Sequence, residues 1–284
     1  MIRRWTPYLL TAPAAALLLG LLVGPAVLLA RMSLYEPGRG HGFFTPGTWT
    51  PANFAAIADG HGLRLLGFTL LFGVGVAALS LAIAYPLALF LRSLPPKARL
   101  FALGLVLMPK FANVLAVLFG LQQFLGASGA VNGLLVGSGI VGGPLTLTRN
   151  LFGAAVGEVY LILPYAVLVL FVRVVAIDPT LEAVARGLGA SRRQVFLRVT
   201  LPLSAPGLIL AGQLGLVWGL GAFLGPMVLG GPAETTLSVE VNRQAFEYGR
   251  WPRAAALTVL LVACVGAALA SWAASTRSQA GAAE

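Results

Sequence analysis

The chain alternates between long apolar runs and shorter polar segments. Four runs carry no charged residue and are long enough to cross a bilayer: 5–30, 65–91, 199–233 and 254–276. Two more runs, at about 100–120 and 151–172, each contain a single charged residue, Lys110 and Glu158 respectively. A helix needs about 20 largely apolar residues to cross the hydrocarbon core. The pattern therefore predicts an all-α integral membrane protein with six transmembrane helices.

The first run has a second interpretation. It follows Arg3 and Arg4, as the apolar part of a cleaved secretory signal does. The run is longer than the usual apolar core of a signal, and no clean small-residue cleavage site follows it. We therefore interpret it as transmembrane helix 1.

Composition supports the membrane class. The 284 residues are 58% hydrophobic and only 10% charged, with a mean hydropathy of +0.89, more apolar surface than a soluble domain can bury. The net charge of +10 would suit a nucleic-acid binder, but the charges lie between the apolar runs and not along one basic face. The single cysteine, Cys264, can form neither an intrachain disulfide nor a four-ligand zinc site.

The distribution of Lys and Arg predicts the orientation. If both termini are cytoplasmic, the inner segments contain most of these residues, including the short basic loop 92–99. This is the arrangement that the positive-inside rule favours. The outer segments are then 32–62, about 121–149 and 230–252.

The outer segments contain few candidates for chemistry. The first is rich in Gly and Pro and is expected to be an irregular loop, and its His41 and His61 lack the spacing of a metal site. Residues 126–139 are too short to span the membrane, so we expect a surface-lying or re-entrant helix near 131–136. In 229–241, Glu234 and Glu240 either contact a docked protein or are simply solvated.

One inner segment, residues 178–202, has the signals of two short helices. Asp178 is a good N-cap before Pro179, and Gly189 suits the positive φ at which a helix often ends. Ser191 and Gln194 then form a capping-box pattern that starts a second helix. Such a segment is either an amphipathic connector lying on lipid headgroups or a docking element for a cytoplasmic partner.

The spacing of this segment resembles the EAA loop of ABC importer permeases: Glu-Ala-Ala, three residues, Gly, nine residues, then aliphatic-x-Leu-Pro. Nine residues separate Gly189 from Val199, and Leu201 and Pro202 follow in register. The motif's Glu position is occupied by Ala183, and Glu182 lies one residue earlier. The resemblance assigns coupling to an ATPase to Glu182, Ala183, Val184, Ala185, Gly189, Ala190, Ser191, Val199, Leu201 and Pro202.

Further segments, at 53–95, 157–191, 221–241 and 245–257, resemble the spermidine/putrescine branch of these permeases, so the resemblance covers about 53–270. It implies a type I importer permease in the cytoplasmic (inner) membrane that passes a polyamine. Branches carrying ferric ion, phosphonate, thiamine or another small solute share much of the pattern and supply the alternative cargoes.

The resemblance also implies the partners and the domain organisation. We expect a second homologous permease, two cytoplasmic ATPase subunits that bind ATP and Mg, an external solute-binding protein and membrane lipid, but no nucleic acid. Residues 1–62 would form the first helix and an external loop, 63–276 the five-helix core with coupling loop 173–204, and 277–284 a cytoplasmic tail. The chain lacks a GxxxxGK[ST] phosphate loop, so we expect it to bind no cofactor and hydrolyse no ATP.

Lys110 and Glu158 are the charged residues at membrane depth, where ionisable groups are usually functional. Each lies near mid-depth at about 1.5 Å per residue. Three interpretations remain open: a structural ion pair (with each other or with a partner permease), a role for Glu158 in passing a cation, or snorkelling to the interface.

Aromatic residues and prolines lie near these charges. Tyr160, Tyr165 and Phe111 could offer cation–π contacts to a polyamine. Trp218 and Phe223, both expected within helix 5, are further candidates for the solute path. Pro109 and Pro164 would kink helices 3 and 4. These kinks either form part of a gate or are ordinary prolines of the kind that membrane helices tolerate.

Two other function classes fit less well. An intramembrane enzyme would need a nucleophile–base pair or an acidic metal cluster, and the chain has no GxSxG or HExxH motif. A secondary transporter would need no ATPase-binding loop.

Overall fold

The computed structural model describes residues 2–38 and 42–281, and the side chains of residues 12–38 and 42–270. His41 and residues 282–284 of the expected tail lie outside this range. The helices are α1 (Ile2–Met32), α2 (Ala52–Ala55), α3 (Gly60–Ser93), α4 (Pro96–Leu107), α5 (Val114–Leu125), α6 (Ala130–Gly137), α7 (Leu151–Val175), α8 (Pro179–Gly187), α9 (Arg192–Val195), α10 (Leu201–Leu220), α11 (Leu224–Leu229), α12 (Leu237–Asn242) and α13 (Trp251–Gly281).

Six helical segments within these ranges are long and apolar enough to cross a membrane: Ala12–Met32, Gly60–Ser93, Val114–Gly137, Leu151–Val175, Arg192–Leu220 and Trp251–Ala270. The predicted all-α fold with six transmembrane helices is therefore confirmed. The third segment is Val114–Gly137 and not the expected span at about 100–120. It includes α6, although residues 126–139 were expected to form only a short surface-lying or re-entrant helix.

The prediction of one continuous helix over 100–120 is wrong. Helix α4 ends at Leu107 and passes into a 3₁₀ turn, Met108–Phe111, which contains Pro109. Ala112 is extended (φ −89°, ψ 155°), and the Asn113 side chain accepts hydrogen bonds from two backbone N–H groups to start α5. The chain breaks here because proline lacks an N–H and asparagine is a strong N-cap.

The transmembrane helix predicted within 199–233 is present, but it is shorter than the apolar run. Helix α10 ends at Leu220, a non-helical stretch follows, and α11 begins at Leu224. Phe223, expected within helix 5, has φ −127° and ψ −59° and precedes α11 as its N-cap. Pro226 lies in the first turn of α11, where its missing N–H removes no helical bond.

The described chain divides into two compact units, Met1–Arg64 with Glu240–Ala263, and Leu65–Val239 with Cys264–Glu284. In the first unit, the described part of the segment 32–62 contains regular structure where an irregular loop was expected. Strands β1 (Glu36–Pro37) and β2 (Phe44–Thr45) pair antiparallel. The Arg31 guanidinium lies over the rings of Tyr35 and Trp49, at 4.0 and 3.7 Å from their centroids.

The second unit is organised around α7, half of whose spanning residues are buried. Its C-terminal half packs against α3 and α10 through Ala88, Leu91, Val167, Leu170 and Ala211. Its N-terminal half packs against Phe72, Val76 and Ala222, and against Leu118 of α5 and Leu229 of α11. Because α7 is surrounded by these helices, any polar group on it is held in a defined position.

Helices α3 and α10 approach each other backbone to backbone. A Cβ added at Gly219 would lie 2.8 Å from the Cα of Gly73, and one added at Gly215 would lie 3.0 Å from the Cα of Ala77. In lipid, helices associate through such small-residue contacts, because the hydrophobic effect does not drive apolar helices together there.

We predict that Gly219→Ala destabilises this unit by about 1–3 kcal/mol, because the new methyl group meets backbone atoms that cannot move aside. Gly75→Ala is the matched control, since a Cβ at Gly75 meets nothing within 4 Å. Thermal unfolding of both variants in detergent measures the effect. Equal melting temperatures for the two would contradict the close packing of α3 and α10.

Candidate functional site

Residues 178–202 form the predicted pair of short helices. The Asp178 side chain caps α8 by accepting a hydrogen bond from the Thr180 N–H at 2.9 Å. Gly189 has φ +87°, a conformation that a side chain disfavours. The Ser191 hydroxyl and the Gln194 side chain form a complete capping box at the start of α9. The helix–glycine turn–helix geometry is therefore confirmed.

Glu182 anchors this segment to two membrane helices. Its carboxylate accepts a hydrogen bond from Arg92 at the C-terminal end of α3 at 2.6 Å, forming a salt bridge, and one from the Thr200 hydroxyl at 2.9 Å. Arg92 also donates to the Ile177 carbonyl at 3.2 Å. Although Glu182 precedes the motif position, it thus has partners within its own chain.

The charge of Glu182 is held by these contacts. Partial burial alone would raise the pKa of the carboxyl, but the hydrogen bonds from Arg92 and Thr200 and the nearby Arg186 charge lower it below the ordinary value of 4.5. The pKa of the Glu182 carboxyl is lower in the folded protein than in the unfolded chain. The Arg92–Glu182 pair therefore stabilises the fold at any pH above the unfolded pKa, and this stabilisation is lost as the pH falls through the folded pKa. At neutral pH the Glu182 carboxyl is therefore ionised.

The outward face of the segment is apolar and uncovered. Leu188 is 84% exposed, and Leu181 and Val184 are exposed beside it. A groove of about 410 Å³ runs between the two short helices, lined by Ala185, Leu188, Gly189, Ala190, Gln194, Val195, Arg198 and Val199. Of the other residues assigned to coupling, Ala183 is exposed, Ser191 caps α9, and Leu201 and Pro202 begin α10.

The six candidate path residues line two neighbouring cavities. Lys110, Tyr160, Tyr165 and Trp218 line a cavity of about 210 Å³. Glu158, Trp218 and Phe223 line another of about 420 Å³. Trp218, Leu161 and Leu224 belong to both linings, so the two cavities adjoin. Phe111, in contrast, is 90% exposed and lines neither.

The 3₁₀ turn places the Lys110 ammonium against α7. Its Nζ donates a hydrogen bond to the Leu161 carbonyl. It also lies 4.4 Å from the centroid of the Tyr165 ring and 5.6 Å from that of Trp218, within cation–π range. Pro164 lies within the continuous helix α7, where its missing N–H leaves the Tyr160 carbonyl, next to Leu161, without its usual helical partner.

Glu158 is buried, with 3% of its surface exposed, where α7 meets α11. Its carboxylate accepts a hydrogen bond from the Gly225 N–H at 3.2 Å, and the Trp218 indole lies beside it. A Cβ on Gly225 would lie 2.6 Å from this carboxylate, so only glycine allows the approach. The Gly225 N–H belongs to the first turn of α11, where helical N–H groups lack helical partners.

The direct Lys110–Glu158 ion pair that the sequence allowed is not formed in this structure. Among the side chains of residues 12–38 and 42–270, the one salt bridge is Arg92–Glu182. Lys110 and Glu158 instead bind main-chain groups of Leu161 and Gly225. In the same part of the chain, no group of three or more His, Cys, Asp and Glu side chains could hold a metal ion.

The acidic residues of 229–241 have local partners. The Glu234 carboxylate accepts the Gly231 N–H of its own turn at 2.9 Å. Glu240 accepts a hydrogen bond from Gln244, one turn later, at 2.6 Å.

Sequence reasoning did not identify Arg92, Thr200, Leu161 or Gly225 as members of these sites. Arg92 stood out only as a topological charge, and the other three carry no distinguishing pattern. Two residue types indicate the break beside Lys110: Pro109, which was expected to kink the helix, and Asn113, an N-cap type within an apolar run.

No family model matches the chain. The spermidine/putrescine transport system permease protein PotB of Escherichia coli is 29% identical over 223 residues, covering 78% of this chain and 81% of the relative. PotB of Haemophilus influenzae is 35% identical over 187 residues, 65% of each chain. The inner membrane ABC transporter permease protein YdcU of Escherichia coli is 26% identical over 234 residues, covering 78% and 74%.

Two solved structures share the fold. A bacterial ABC transporter involved in the import of the acidic polysaccharide alginate superposes with a TM-score of 0.70 at 22% identity, covering 97% of this chain and 95% of the other. A bacterial alginate ABC transporter in complex with an alginate pentasaccharide-bound periplasmic protein gives a TM-score of 0.71 at 21% identity, covering 95% and 93%.

We predict that Glu182→Gln and Arg92→Gln each loosen α8. Losing a partly buried charged hydrogen bond removes about 1 kcal/mol of local stability, which accelerates amide exchange in α8 about fivefold. Hydrogen–deuterium exchange mass spectrometry measures this directly.

The double variant should show little more than either single one, because both changes break one pair. Arg193→Gln is the control, since it removes the same kind of charge from an exposed position on α9 and not from α8. Additive effects in the double variant would show that Arg92 and Glu182 act independently.

Proposed function

We propose that this chain, which belongs to the ABC importer permeases, is the translocation subunit for a polyamine of the spermidine or putrescine type. The observation that carries the choice of cargo is the buried carboxylate of Glu158 on a cavity that it shares with Trp218 and Phe223. The PotB relatives, whose names specify spermidine and putrescine, support the same cargo.

The chemistry of the cavity suits an alkylammonium. A carboxylate provides a counter-charge to a passing ammonium, and aromatic faces attract a cation without binding it irreversibly. Polyamines alternate ammonium groups with methylene segments, which match a path that alternates Glu158 with apolar residues such as Leu214 and Val217. We therefore assign six residues to the solute path: Lys110, Glu158, Tyr160, Tyr165, Trp218 and Phe223.

The chain requires partners for transport. We assign ATP and Mg to two cytoplasmic ATPase subunits, the second half of the path to a homologous permease, and delivery of the cargo to an external binding protein. The alginate transporter in complex with its periplasmic protein supports the last assignment by analogy of fold. The termini are assigned to the cytoplasm, with residues 178–202 as the coupling helix on that side.

The exposed groove between α8 and α9 is the feature that supports coupling. Its apolar lining and the uncovered Leu188 provide a surface for a partner, and the Arg92–Glu182 pair transmits its movement to α3. The alternative for the segment, a connector lying on lipid headgroups, would not require a φ-positive turn between two capped helices.

Uptake of labelled spermidine into proteoliposomes tests the cargo. The vesicles contain the complete complex, with the binding protein outside and ATP inside. We expect ATP-dependent uptake that putrescine inhibits by competition. If the binding protein stimulates ATP hydrolysis but spermidine does not enter, the cargo is another small solute, such as ferric ion, phosphonate or thiamine.

In the same assay, Glu158→Gln should lower spermidine uptake about tenfold, which corresponds to about 1.4 kcal/mol. The complex should still assemble, because the amide removes the counter-charge but keeps the volume of the side chain. Glu234→Gln is the control, since Glu234 bonds only its own turn. Unchanged uptake by an assembled Glu158→Gln complex would remove Glu158 from the path.

We further predict that Gly189→Trp uncouples ATP hydrolysis from uptake, because it fills the groove and strains a backbone at φ +87°. Gly189→Asn is the matched variant: asparagine tolerates positive φ and adds little bulk, so it should keep most of the coupling. The ratio of spermidine imported to ATP hydrolysed measures the effect. A normal ratio for Gly189→Trp would contradict the docking role.

A further inference from the structure

The Lys110 ammonium occupies surroundings that would equally bind a foreign ammonium. It donates to the Leu161 carbonyl, and the faces of Tyr165 and Trp218 lie 4.4 and 5.6 Å from its nitrogen. A carbonyl acceptor combined with two aromatic faces is the chemistry by which proteins recognise alkylammonium groups. We refer to Leu161, Tyr165 and Trp218 as the ammonium cage.

The cage has room beside its occupant. The cavity next to Lys110 measures about 210 Å³ and extends to Val114 and Val117 of α5. Such a volume accommodates several water-sized groups, or a short alkyl chain. It adjoins the cavity of Glu158, so a carboxylate lies on the continuation of the same space.

The occupant is also able to leave. Lys110 lies on the 3₁₀ turn between α4 and α5, and the neighbouring Met108 and Phe111 are 67% and 90% exposed. The Lys110 side chain is only partly buried, and its one hydrogen bond is to a backbone carbonyl. Its long, flexible stem can therefore carry the ammonium out of the cage without moving α7 or α10.

We propose that the cage is an alkylammonium site and that Lys110 is its resident occupant, which an ammonium group of the incoming solute displaces. Two ammonium groups cannot share the cage, because like charges repel strongly away from bulk water. Lys110 therefore fills the site when no cargo is present, and only a solute whose own cation competes for the aromatic faces and the carbonyl replaces it.

This inference rests on the proposed function for the identity of the solute, but the site itself can be tested without a polyamine. The probe is n-butylammonium, and n-butanol serves as the neutral compound of similar shape. Binding to the purified complete complex is followed by tryptophan fluorescence, since Trp218 forms part of the cage. Repeating the titration in Trp218→Phe assigns the signal.

We expect Lys110→Met, which removes the resident ammonium at similar volume, to bind n-butylammonium at least tenfold more tightly than the unchanged protein. Lys110→Gln, which keeps a donor for the Leu161 carbonyl, should also bind it more tightly and provides the second variant if methionine prevents assembly. Lys110→Arg keeps a cation in the cage and should resemble the unchanged protein.

Equal affinity of the unchanged protein and both neutral variants for n-butylammonium would overturn the proposal. So would an equal gain for n-butanol, because that would indicate filling of an apolar space and no recognition of charge. Spermidine uptake by the unchanged protein distinguishes failure of the ammonium cage from failure of the proposed polyamine cargo. Uptake without the gain in n-butylammonium affinity refutes the cage alone, whereas the gain without uptake keeps the cage and refutes the polyamine cargo.

Discussion

The need to satisfy main-chain polar groups within the membrane governs this structure. In hydrocarbon, each N–H and C=O that a broken helix releases must find another partner. Here the helices are interrupted around Pro109–Asn113 and between α10 and α11, and Pro164 removes one hydrogen bond within the continuous α7. Glu158 accepts the Gly225 N–H, a group that the start of α11 leaves without a helical partner, and Lys110 bonds the Leu161 carbonyl beside the Tyr160 carbonyl that Pro164 frees.

The same interruptions build the cavities. Since α4 and α5 do not form one straight helix, the turn between them brings Lys110 toward α7. Since α10 stops at Leu220, Phe223 leaves the helical line and lines the space beside Glu158. Around these irregular segments, the backbone-to-backbone packing of α3 and α10 supplies a rigid frame. The Arg92–Glu182 pair connects that frame to α8, which is the link that the proposed coupling would use.

Much of the fold could be predicted from the sequence because lipid requires long apolar runs, and six such runs are visible. The cap of α8, the Gly189 turn and the capping box of α9 were equally predictable, since each is a local interaction within a few residues. The breaks between helices were harder to predict, although Pro109 and Asn113 indicate one of them by residue type. Hydropathy remains high through Ala112 and through Gly221, so apolar composition alone does not distinguish a broken helix from a continuous one.

The charged residues of the candidate site could be identified from the sequence, but their hydrogen-bond partners could not. A charge in an apolar run identifies Lys110 and Glu158, but their partners depend on how α7 packs against the 3₁₀ turn and α11. Likewise, Arg92 and Glu182 are 90 residues apart in sequence, and no local pattern connects them.

The most direct test of the central claim, that a cation crosses beside α7 at the interrupted helices, is a cryo-electron microscopy structure of the complete complex trapped with spermidine. We expect density for spermidine between Glu158 and Trp218, with the Lys110 ammonium no longer over the Tyr165 ring. Spermidine bound in the membrane domain without contacting Glu158, Tyr165 or Trp218, with Lys110 still in place, would contradict it.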